Sequence, residues 1–104
     1  ILEGDNHAPI DAASWTFGDE VLVERYVPGR EIHVAVLDGV AQGVTEIIVA
    51  GRFFDYDAKY SDQRTKLVTP AEIPEVVAQT AKAYAERVYR VLGCEGLARC
   101  DLRY

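Results

Sequence analysis

A single long stretch of this chain, EIPEVVAQTAKAYAERVYRVLG, repeats its apolar residues at helical spacing. Ile73, Val77, Ala81, Tyr84, Val88 and Leu92 follow one another at steps of four and three, the spacing of one helix face. Pro74 suits the start of a helix and Gly93 its stop, so the pattern predicts a helix over 74–92. Upstream, Thr69 and Glu72 have the spacing of a capping box around a short first turn, with Pro70 at its first position. One amphipathic helix buries its apolar stripe only against another element, and the rest of the chain has to supply it.

That element reads as a sheet. EVLVERYV, EIHVAVL and GVTEIIVA are rich in β-branched residues and predict strands over 20–27, 31–37 and 43–50. Pro28 and Gly29 suit a type II turn between the first two, in a connection wider than a tight hairpin. Asp38–Gly39, with Gly43 beyond, marks the next reversal. LARCDLRY predicts a last strand over 97–104. The expected fold is therefore α+β: an antiparallel sheet of about four strands with one long helix on one face. Residues 1–19 lack a period and read as a connecting segment, pinned to the body by Trp15 and Phe17. Gly51 to Lys66 is polar, aromatic and unperiodic, as expected of a functional loop. It holds Phe53, Phe54, Tyr56 and Tyr60, more aromatic content than a disordered segment carries.

The 104 residues carry a formal net charge of −6, which argues against a broad nucleic-acid or anionic-membrane footprint. No apolar run reaches membrane-spanning length and no secretory leader pattern is visible. Cys94 and Cys100 lack metal-ligand spacing and lie far from His7 and His33, so both read as reduced cytosolic thiols, with Cys100 a small core residue. The chain begins with Ile1 rather than Met, as expected of a processed or excised piece.

Three places could carry chemistry. On the last strand, Arg99 and Asp101 are two apart and share one face. A carboxylate there suits Mg²⁺, and an arginine suits a developing oxyanion or a substrate carboxylate, although the same spacing also suits a solvated sheet face. Glu24 and Glu31 flank the turn after the first strand. A strand end of that kind offers backbone groups to a purine edge and a carboxylate to ribose hydroxyls, or is simply a charged hairpin end. Lys59 sits among aromatics in the loop, placed either to meet a phosphate or to face solvent. His33 lies on the face opposite Ile32, Val34 and Val36 and reads as a structural histidine. Glycine-rich phosphate loops, nucleophile elbows and zinc spacings are all absent.

From about Val21 to Leu102 these segments, in this order, resemble the D-alanine–D-alanine ligases of the ATP-grasp superfamily. VLVERYVPGREIHVAVL is similar to ATP-grasp enzymes broadly. FFDYDAKY followed by TPAEIP looks like the omega loop of these ligases, and GCEGLARCDL like their helix end and metal-ligand strand. The resemblance implies that residues 20–104 form part of an ATP-grasp domain. The backbone of Arg25, Tyr26 and Val27 would hold the adenine edge, with Glu24 near its amino group and Glu31 on the ribose. Lys59 would meet the transferred phosphate, and Tyr60 would join a relay near the substrate. Phe54 and Tyr56 would pack in the closed loop. Arg99 would stabilise the oxyanion and the second substrate's carboxylate, and Asp101 would bind Mg²⁺. Implied substrates are ATP and two molecules of D-alanine, joined through an acyl phosphate for peptidoglycan, in a cytoplasmic and homodimeric parent. The family's second metal-ligand strand, its first substrate domain, its upstream phosphate-binding lysines and a serine partner for Tyr60 are not found in these 104 residues. The chain alone is therefore expected to be inactive. Another ATP-grasp carboxylate–amine ligase, or a non-enzymatic α+β interaction module, are the alternative readings.

Overall fold

The computed structural model describes residue 16, residues 18–49 and residues 65–104. Their elements run β1 (Glu31–Leu37), β2 (Val40–Ile48), β3 (Lys66–Val68), α1 (Glu75–Val91) and β4 (Leu97–Arg103). The four strands form one antiparallel sheet in the order β3-β2-β1-β4, with α1 packed on one face. The expected α+β architecture is present.

Alternation on β1 separates the two faces. Ile32, Val34 and Val36 are essentially inaccessible and pack with Val44 beneath Ala81, Ala85 and Tyr89 of the helix. Glu31, His33 and Ala35 face the other way. Asp38 and Gly39 both have positive φ, the geometry of a two-residue hairpin turn that matches strand twist. Such a tight turn starts β2 at Val40, three residues earlier than expected, and leaves Gly43 inside the strand. The ladder shifts between Ala35 and Val36, a bulge that leaves Gln42 as the extra residue on β2. The Ala41 amide donates across to the Glu86 carboxylate at 2.9 Å, tying the helix to the bulge.

The helix confirms its stop and keeps part of its expected stripe: Ala81 is buried and Ile73 packs against the core, but the line turns at its C-terminal half. Gly93 has φ +66°, its amide donates to the Arg90 carbonyl, and the Cys94 amide donates to the Tyr89 carbonyl, which is the Schellman pattern. The buried line runs through Ala81, Ala85 and Tyr89, with Ala78 partly covered, whereas Tyr84 is 59% and Leu92 72% exposed. Ala81 and Ala85 let the helix backbone approach the valines of β1, while Tyr89 fills the C-terminal end of the contact and its hydroxyl donates to the Gly96 carbonyl at 2.8 Å. No helical turn forms over 70–73. The Ala71 amide donates to the Val44 carbonyl at 2.8 Å, so the chain stays bonded to the sheet edge until Pro74.

The expected strand over 20–27 is not one. Residues 20–28 are exposed and outside the sheet, with Leu22 84% accessible, and the fourth strand is Lys66–Val68 instead. β-propensity reports a fit to a half-buried surface, and a run with that propensity still needs a ladder partner. Here both edges of β1 are already taken, by β2 and β4. The connecting segment over 1–15, Phe17, Ala50 and loop residues 51–64 lie outside the described residues, and Lys66, expected to end the loop, begins β3.

Candidate active site

The face of the sheet away from α1 gathers the polar side chains. β4 runs antiparallel to β1 with Glu31 opposite Arg103, His33 opposite Asp101 and Ala35 opposite Arg99. Because the side-chain period of a strand is two, this register puts all of Glu31, His33, Arg99, Asp101 and Arg103 on one surface. Arg99 donates from Nε to Asp101 Oδ1 at 2.7 Å and from its terminal nitrogen to Oδ2 at 3.1 Å. The two residues expected to form a cation–carboxylate pair are thus adjacent, open to solvent, and on the helix-free side.

His33, read from the sequence as a structural histidine, stands among them. Its Nε2 lies 3.1 Å from Glu31 Oε1 and 3.5 Å from Asp101 Oδ1, and the residue is only 7% exposed. The alternation that placed Arg99 and Asp101 together on β4 places Glu31 and His33 together on β1. The pairing register of the two strands, which no local pattern encodes, then joins the pairs.

Arg103 is a residue the sequence reading missed. It donates from Nε to the Val27 carbonyl at 2.9 Å, lies 3.4 Å from Glu31 Oε2, and its guanidinium sits 5.8 Å from the Tyr26 ring centre. It therefore holds the exposed segment containing Glu24, Arg25, Tyr26 and Val27 against the strand that carries Asp101. Gly29, at φ +129°, allows the chain to pass the Tyr104 backbone, where a Cβ would collide with the carbonyl oxygen. The Arg30 and Tyr104 backbones are bonded to each other in both directions.

Beside these groups the sheet surface is concave, enclosing about 530 Å³ lined by His33, Ala35, Gln42, Gly43, Ile47 and Arg99 among others. Gly43 and Ala35 leave the floor low, and the Thr45 and Thr69 hydroxyls are bonded at 2.7 Å on its wall. Among the described residues, Glu31, His33 and Asp101 bring possible ligand atoms within 4.8 Å of one another. Two carboxylates and an open surface fit a hard divalent cation, which takes oxygen ligands; the imidazole nitrogen is the poorer donor for it. Lys59 and Tyr60, with Phe54 and Tyr56, lie outside the described residues.

On the helix side, charge serves the fold. Arg30 forms a two-pronged pair with Glu46, both contacts at 2.6 Å, and donates to the Glu72 carbonyl at 2.9 Å. Hydrogen bonding from Arg30 holds the Glu46 carboxyl below its usual range against the opposing cost of burial. Cys94 and Cys100 are free thiols at the edge of the core, and burial, aided by the Asp101 charge, raises the Cys100 pKa. Among the described residues no helix is long and apolar enough to cross a membrane.

Comparison with known proteins gives one consistent family. The model described as "D-ala D-ala ligase C-terminus" matches residues 7–104. The D-alanine–D-alanine ligase of Caulobacter vibrioides is 46% identical over 111 residues, covering 100% of this chain and 34% of the relative. That of Agrobacterium fabrum is 42% identical over 107 residues, covering 100% and 35%. Among solved structures, the Bacillus anthracis D-alanine–D-alanine ligase complexed with ATP aligns with TM-score 0.59 and 32% identity, over 78% of this chain and 26% of that one. VanG D-Ala:D-Ser ligase of Enterococcus faecalis aligns with TM-score 0.63 and 33% identity, over 76% and 24%. The chain spans about a third of the length of the curated relatives it matches. With its sheet, its packed helix and the paired Arg99 and Asp101 in place, the chain belongs to the D-alanine–D-alanine ligase C-terminal family, of ATP-grasp fold.

Proposed function

We propose that this chain works as the C-terminal, nucleotide-facing part of an ATP-dependent ligase that joins two D-alanines. The observation that carries the reading is the grouping of Glu31, Arg99 and Asp101 on one open sheet face, beside a concave floor. In this reading the Arg25–Val27 backbone holds the adenine edge, Glu24 meets its amino group, and Glu31 accepts from the ribose hydroxyls. Asp101 holds Mg²⁺, which when bound neutralises phosphate charge. Arg99, kept in place by Asp101, presents its guanidinium to the oxyanion of the reacting carboxyl group and to the carboxylate of the second D-alanine. Lys59 meets the transferred phosphate and Tyr60 the relay near the substrate. ATP phosphorylates the first D-alanine carboxylate, and the amine of the second displaces phosphate from that acyl phosphate. Positioning and charge neutralisation supply most of the gain in such transfers.

The setting is the cytoplasm and the product a peptidoglycan precursor, with the complete protein a homodimer. The acidic balance of the chain supports small-molecule partners over nucleic acid or membrane. The likeness to a D-Ala:D-Ser ligase favours a second reading, another ATP-grasp carboxylate–amine ligase whose second substrate is a different D-amino acid. The Lys59–Tyr60 pair supports the dipeptide product. The test is ADP release by a full-length protein containing this sequence, with Mg²⁺ and either D-alanine or D-serine as acceptor. Highest kcat/KM with D-alanine is expected; preference for D-serine supports the second reading, and no ATP turnover with either overturns both. The 104-residue chain alone is expected to release no ADP.

A further inference from the structure

His33 is the one ring in the Glu31–Asp101 cluster, and the ligase reading leaves it without a task. We propose that His33 is a positioning residue that couples the ribose-binding carboxylate to the metal-binding carboxylate, so that the nucleotide sugar and the metal are held as a unit. The inference rests on the roles given above to Glu31 and Asp101.

The geometry is specific. His33 is two residues from Glu31 on β1 and directly across the ladder from Asp101 on β4. Two carboxylate oxygens converge on its Nε2, at 3.1 Å and 3.5 Å, so that nitrogen carries a proton and donates. The surrounding groups alternate in sign: Arg103 faces the other oxygen of Glu31, and Arg99 grips both oxygens of Asp101. A single N–H serves two acceptors incompletely, and here the shorter contact goes to Glu31. Were a cation to engage Asp101, the donor would be left to Glu31, steadying the carboxylate assigned to the ribose hydroxyls. Without the imidazole, two like charges with oxygens inside 4.8 Å of one another lose the donor between them and move apart. His33 is buried, so water replaces it poorly. Coupling between two ligands is reciprocal, so both affinities fall together when the link is removed.

The test uses the full-length protein with three variants. His33→Ala deletes the ring, His33→Phe keeps its volume without a donor, and His33→Gln restores an N–H donor. KM for ATP, KM for 2′-deoxy- and 3′-deoxy-ATP, and the Mg²⁺ concentration for half-activation are measured for each. His33→Ala and His33→Phe are expected to raise KM for ATP and the Mg²⁺ requirement about tenfold each, the scale of one hydrogen bond to a charged group, with a smaller change in kcat. The penalty for deleting a ribose hydroxyl is expected to shrink at least about threefold in both, and to return in His33→Gln. Should His33→Ala fail to fold, as read by circular dichroism, His33→Phe decides. A folded donor-less variant with wild-type KM values and an unchanged hydroxyl penalty overturns the proposal. So does a fall in kcat that is equal for ATP and its deoxy analogues, the mark of a structural role alone. Absence of ATP turnover in the wild type overturns the ligase reading itself, and with it this inference; that result is distinct from a wild type that turns over ATP and is indifferent to position 33.

Discussion

Arg99 closes a two-pronged pair with Asp101 on its own strand, two residues away, at 2.7 Å and 3.1 Å. The pair faces solvent, so its stabilising effect on the fold is small, and what it fixes is the direction of a guanidinium and a carboxylate. In the full-length protein, Asp101→Ala is expected to lower kcat at least about a hundredfold, because metal charge stabilisation is worth several kcal/mol. Thermal unfolding is expected to change by less than about 1 kcal/mol. Steady-state kinetics over a Mg²⁺ series, beside a melting curve, checks both; unaltered Mg²⁺ dependence removes Asp101 from the metal site.

Arg103 spans from β4 to the Val27 carbonyl. Arg103→Ala is expected to loosen the segment assigned to the adenine edge and raise KM for ATP about three- to tenfold, the scale of one or two hydrogen bonds, while kcat changes less. A comparison of ATP with GTP sharpens the measurement, since loss of backbone recognition narrows the difference between them. Equal KM for ATP in variant and wild type would detach Arg103 from nucleotide binding.

Val34 is wholly buried at the centre of the helix–sheet contact. Val34→Ala is expected to cost about 2–3 kcal/mol, the transfer and cavity terms together, read by urea denaturation. Gly29→Ala acts at the other end of β1, where positive φ and the nearby Tyr104 carbonyl leave no room for a Cβ. A loss of at least about 1 kcal/mol is expected there. An Ala variant as stable as wild type would mean that the segment before β1 has shifted.

Glu46 gives the fold an acid-sensitive contact. Its carboxyl is held below the usual value of 4.5 chiefly by hydrogen bonds from Arg30, which remains charged throughout the acid range. A carboxyl depressed in the folded state binds protons more readily when unfolded. Its stabilisation is therefore fully present above pH 4.5 and is lost as pH falls through the lower folded value. Glu46→Gln is expected to lower the melting temperature by several degrees at neutral pH, with the gap to wild type closing under acid. A gap that stays constant with pH would assign the loss to packing.

Local pattern alone determined a good part of this molecule. The 3.6-residue period between Pro74 and Gly93 determined a helix, because the backbone there satisfies its own hydrogen bonds. Alternation determined that Arg99 and Asp101 share a face, because a strand's period is two whatever it pairs with. The order of these segments also carried the resemblance to the ligase family. Tertiary structure decided which helix stripe is buried, with Ala81 and Ala85 permitting close approach to the valines of β1 and Tyr89 closing the end of the contact. It decided that residues 20–28 stay outside the sheet and Lys66–Val68 joins it, since a strand exists only with a partner. It also decided the β1–β4 register that sets His33 opposite Asp101. Register is a contact between residues far apart in sequence, fixed by the burial of a whole face at once, and no short stretch of either strand contains it.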